Sequence, residues 1–121
     1  MERKITRYEA PEIVLAKTES GEKKKYDPDL LHTPFLVEKA YKPGDTIKIE
    51  LEFNEYFSDE DKVVWEVGTK DIPGNNIFEY TFSEKDIGKN FRIGCKVTSK
   101  KEWHRYNNHD HSINILINVI P

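Results

Sequence analysis

The stretch from Tyr80 to Thr98 constrains the fold more than any other part of this chain. It reads Tyr-Thr-Phe-Ser-Glu-Lys-Asp-Ile-Gly-Lys-Asn-Phe-Arg-Ile-Gly-Cys-Lys-Val-Thr. One strand ends near Phe82, and a tight corner follows at Asp86-Ile-Gly88. A second strand then alternates, with Phe91, Ile93, Cys95 and Val97 on one face. Strands joined by such a corner belong to a two-sheet sandwich.

The same period of two runs through the rest of the chain. Ile47, Ile49, Leu51 and Phe53 share one face of Asp45–Phe53, and Thr46, Lys48, Glu50 and Glu52 share the other. This is the pattern of a strand with one solvated side. Lys62–Val67, Ile77–Phe82 and Asn90–Ser99 read as further strands, and Ser112–Val119 closes the chain with another. Glu12–Ala16 and Phe35–Tyr41 are weaker strand candidates flanking a charged loop, Lys17–Pro34, with room for one helical turn near Asp29–Leu31. Lys42-Pro-Gly-Asp45 and Ile72-Pro-Gly-Asn-Asn76 read as turns, because proline presets φ and glycine accepts positive φ. About seven short strands between turn signals predict an all-β sandwich. We divide the chain into an N-terminal extension, residues 1–34, packed on the same domain, and a sandwich over 35–121.

Composition narrows the function classes. At 121 residues the chain is one domain in length, and its mean hydropathy of -0.76 leaves a lean core to which aromatic rings contribute heavily. A net charge of -3 argues against a nucleic-acid binder. Basic residues near Met1 have no apolar run behind them, so no secretory signal is read, and no window predicts membrane insertion. The expectation is either a cytoplasmic protein or a domain excised from a longer surface protein. A single cysteine, Cys95, permits no internal disulfide.

In order along the chain, Gly44-Asp45-Thr-Ile47-x-Ile49-x-Leu51, then Trp65, then Asp86-x-Gly88-x-x-Phe91, then Cys95-x-Val97-Thr98 resemble an immunoglobulin-like β-sandwich, in particular a bacterial immunoglobulin-like domain. The resemblance covers Phe35 to Val119. It implies that Trp65 is the core tryptophan of the third strand and that Cys95 stands at the second disulfide position. An aliphatic residue occupies the partner position in the Ile47–Phe53 strand, so Cys95 becomes a small buried apolar residue. Phe91 stands near the usual corner tyrosine, where it has no hydroxyl to tether the corner. Folds of this type host many unrelated functions.

No nucleophile elbow, phosphate loop, paired-histidine zinc motif or C-x-x-C is present. The reading is therefore a non-catalytic module with no cofactor. Its densest polar and aromatic cluster, Lys100 to His111, reads as the loop between the last two strands. There Trp103, His104, Arg105, Tyr106, His109 and Asp110 are the candidate contacts for a protein or glycan. The competing reading is a solvated hairpin with Trp103 covering the end of the core. Two metal alternatives stand beside these: the histidines, with His109 and His111 on one face, and calcium at Asp59, Glu60 and Asp61. Glu50–Asp61 holds six acidic residues and no basic one, and Lys96–Arg105 holds four basic residues against one acidic. That polarity supports a further alternative, a small immunity or inhibitor protein acting through a charged face.

Overall fold

The computed structural model describes residues 11–26, 33–100 and 111–121. Among them lie nine strands: β1 (Ile13–Thr18), β2 (Lys23–Lys25), β3 (Phe35–Tyr41), β4 (Thr46–Phe53), β5 (Lys62–Val67), β6 (Lys70–Gly74), β7 (Ile77–Thr81), β8 (Gly88–Thr98) and β9 (His111–Val119). They form a four-stranded sheet in the order β2-β1-β4-β7 and a five-stranded sheet in the order β3-β9-β8-β5-β6. The two sheets pack as an all-β sandwich, compatible with an immunoglobulin-like fold.

The strands from Thr46 onward follow the alternation of the sequence. Ile47, Ile49 and Leu51 of β4 face Ile93, Cys95 and Val97 of β8 and Ile113, Ile115 and Ile117 of β9 across one continuous core. Aromatic rings tie the sheets together. Trp65 is fully buried, stacks on Phe78 with ring centroids 4.8 Å apart, and donates its indole N–H to the Asn75 carbonyl at 3.0 Å. Tyr41, Phe82, Tyr80 and Phe91 form a second cluster, with centroids 5.2–5.5 Å apart. Such offset and edge-on pairs add to the area they bury.

Two local expectations are corrected. The segment Ile72–Asn76, read as a turn between Trp65 and Phe78, instead carries the end of β6. β5 and β6 form a hairpin through Gly68-Thr69, and Asn75-Asn76 then crosses to the other sheet. Pro73 is tolerated because β6 is an edge strand, where a missing N–H breaks no ladder. Within the charged loop, Lys23–Lys25 pairs with β1 as a short strand. β3 runs parallel to β9, the one parallel pairing in otherwise antiparallel sheets among the described residues.

Two carboxylates of the β1–β2 hairpin sew the sheets together. Glu19 accepts from the Tyr41 hydroxyl (2.6 Å) and the Lys48 N–H (2.8 Å), and Glu22 accepts from the Glu38 and Lys39 N–H groups of β3 (2.6 and 3.0 Å). Glu22 thereby covers amides at the bulged edge of β3, where an open edge would invite foreign strands. Burial opposes the charge of Glu19, but its hydrogen bonds and nearby Lys39 outweigh that and lower its pKa.

The corner at Asp86 is held by a hydroxyl, though not one at position 91. Tyr80 of β7 donates to Asp86 Oδ2 at 2.7 Å, and the Ser83 N–H donates to the same oxygen at 2.9 Å. Burial and this bond push the Tyr80 hydroxyl up to about 12, and bonds from Ser83 and Tyr80 lower Asp86 despite its burial. Cys95 is a buried free thiol whose pKa burial raises, as its role as a small core residue requires.

Candidate binding surface

The end of the sandwich where β8 leaves and β9 returns is where the sequence concentrates its candidates. Trp103, His104, Arg105, Tyr106, His109 and Asp110 lie outside the described residues. What the structure establishes is the platform that bears them.

Both stems of the connection are fixed. On the β8 side Ser99 is buried, and the Lys100 N–H donates to Asp61 Oδ1 at 2.8 Å. Asp61 Oδ2 accepts from the Ser58 N–H at 3.0 Å, closing the turn Ser58–Asp61 on itself. The end of the acidic stretch is thus bolted to the middle of the basic one. Lys100 Nζ also lies 3.5 Å from Glu60, an exposed pair of little energetic weight. The opposite charge runs of the sequence meet at one end of the molecule instead of marking separate faces.

On the β9 side, His111 opens the strand with its ring turned into the core and 4% exposed. Its Nδ1 accepts the Ile13 N–H at 2.6 Å, which assigns the neutral ring with its proton on Nε2. Nε2 is buried without a hydrogen-bond partner among the described residues, and burial lowers the pKa to about 4. His111 is therefore a strut between the first and last strands. Among the described residues, no group of three or more His, Cys, Asp or Glu side chains is arranged to hold a metal ion.

Beside the β8 stem lies a half-open cleft of about 520 Å³ lined by Glu60, Lys62, Thr98, Ser99 and Lys100. Its wall mixes carboxylate, ammonium and hydroxyl groups and is open on one side, which suits a contacting surface better than an enclosed small-molecule site. Tyr56 stands exposed on the neighbouring turn. Sequence reasoning missed the anchoring role of Asp61, because its partner, the Lys100 N–H, lies across the fold. It also missed His111 as a core residue, although the alternation Ile113, Ile115, Ile117 already placed position 111 on the inward face.

The sequence matches no family model and no curated protein. Among the described residues, no helix is long and apolar enough to cross a membrane.

Proposed function

We propose that the chain is a non-catalytic interaction module, a bacterial-type immunoglobulin-like domain. In this reading the connection between β8 and β9 meets a protein or glycan partner. One observation carries it. Both ends of that connection are immobilised, by Asp61 at Lys100 and by Ile13 at His111, so the scaffold presents a loop from fixed stems. Fixed stems lower the ordering cost of binding, and the loop sequence supplies Trp103, Arg105 and Tyr106, residue types that dominate binding hot spots. The carboxylates with displaced titrations, Glu19 and Asp86, spend their oxygens on the scaffold itself. This favours a structural over a catalytic use for them.

A second reading, a small immunity or inhibitor protein, draws on the exposed carboxylates of Glu55, Asp59 and Glu60 beside the same loop stem. It shares the surface and differs in the partner, a toxin or enzyme with a basic face. Affinity capture from the source organism, followed by quantitative binding of the purified partner, tests both. Replacing Trp103 and Arg105 together with alanine is expected to weaken binding by at least about tenfold while the melting temperature holds. Unchanged affinity removes the loop as the site, and a large loss of stability makes Trp103 a core residue.

A further inference from the structure

The outer face of the five-stranded sheet carries an arrangement that stability does not explain. Gly94 sits in the interior of β8, paired with Asn114 of β9 on one side and Glu66 of β5 on the other. A glycine inside a strand weakens it and often marks a close approach. Here the approaching group is the guanidinium of Arg92. A Cβ at position 94 would lie 2.6 Å from Arg92 Nη2, 3.0 Å from Cζ and 3.2 Å from Glu66 Oε1. The missing side chain is what lets the guanidinium lie across the strand. Arg92 Nε donates to Asn114 Oδ1 at 2.6 Å and Nη2 donates to Glu66 Oε1 at 2.9 Å, fixing the group over three strands. The side chain still keeps 46% of its surface open.

The surroundings match this centre. Leu116 lies opposite Arg92, and Leu36 lies opposite Leu116 on the edge strand. Leu36 is 62% exposed, the most exposed large hydrophobic side chain among the described residues. On the other flank Val64 pairs with Pro73 and with Lys96. Lys62 and Lys96 add positive charge on this face. Glu66 is already paired with Arg92, and Asp71 stands on the edge strand beyond it.

We propose that this face is a second contact surface, centred on Arg92 where it lies across Gly94, and that it takes an aromatic side chain next to a carboxylate on a partner protein. A guanidinium held to the sheet through its Nε–H and Nη2 leaves its flat face open to stack on aromatic rings. Apolar side chains on both flanks shelter the contact from water, and Lys62 and Lys96 attract the carboxylate. Because Arg92 is already ordered, a partner does not bear the cost of ordering it. Lys62 also lines the cleft beside the β8–β9 connection, but Arg92 and Gly94 do not, so the surface stands whether or not Trp103 and Arg105 touch a partner.

The test is a titration of the ¹⁵N-labelled full chain with N-acetyl-L-tryptophan, which joins an indole to a carboxylate, beside N-acetyl-L-leucine. Saturable shifts are expected at the Arg92 Nε–H and the Gly94, Lys96 and Leu116 amides with the tryptophan derivative alone. Gly94→Ala displaces only the flexible ends of Arg92 and Glu66, so its melting temperature should hold or rise while affinity for N-acetyl-L-tryptophan falls about tenfold. Equal binding by Gly94→Ala overturns the proposal. So do equal shifts with the leucine derivative, or saturable shifts confined to residues 99–111.

Discussion

The strut between His111 and Ile13 makes stability depend on pH in a calculable way. The Nδ1 atom accepts the Ile13 N–H, so a proton arriving there removes the bond and places a charge in the core. Burial depresses the folded-state pKa to about 4 from an ordinary value of 6.5. As pH falls below 6.5 the unfolded chain takes up the proton first, and the native state loses ground. The contribution is nearly whole at about pH 7, and between there and about pH 4.5 the two titrations imply a loss of about 2.5 kcal/mol. Glu19 and Asp86, with lowered pKa values, add their own loss at more acid pH. His111→Asn isolates the term, since an asparagine oxygen can accept the Ile13 N–H without titrating. Urea unfolding from about pH 7 to about pH 4.5 should show the wild-type free energy falling about 2.5 kcal/mol more than that of His111→Asn. The other three histidines are common to both proteins. Parallel pH profiles would refute the reasoning, as would a His111 ring that titrates near 6.5 by NMR.

Further outcomes follow from the core and the corner. Tyr80→Phe removes the hydroxyl from Asp86 and should cost about 1–3 kcal/mol in urea unfolding, and a change below about 0.5 kcal/mol would mean that water replaces it. Cys95 should resist an aromatic disulfide reagent in the native protein and react at once in denaturant. Rapid native labelling would contradict its burial. Trp65→Ala should cost about 3–5 kcal/mol, because a fully buried indole stacked on Phe78 leaves a cavity, and a loss near 1 kcal/mol would show that the sheets collapse around it.

Much of the sandwich is legible in the residues themselves. Lys62–Val67 matches the sequence reading, and Ser112–Val119 is extended by one residue to His111, because alternation alone reports which face is inward. β2 escaped because Lys23–Lys25 carries no apolar pattern and owes its strand to β1 alongside it. The parallel pairing of β3 with β9 depends on residues at opposite ends of the chain, which local periodicity does not encode. The corner tether was sought at Phe91 and lies at Tyr80, since any hydroxyl that reaches Asp86 serves. Gly94 did leave a signal, an isolated glycine inside an apolar alternation. What it makes room for was visible only once Arg92, Asn114 and Glu66 were placed on one face.

Hydrogen–deuterium exchange on the complex with the captured partner tests the central claim most directly, that the end of the sandwich between β8 and β9 is a binding platform. Peptides spanning residues 99–111 should exchange more slowly in the complex, with the interior strand β4 unchanged. Unaltered exchange across 99–111, with protection appearing only elsewhere on the molecule, would contradict it.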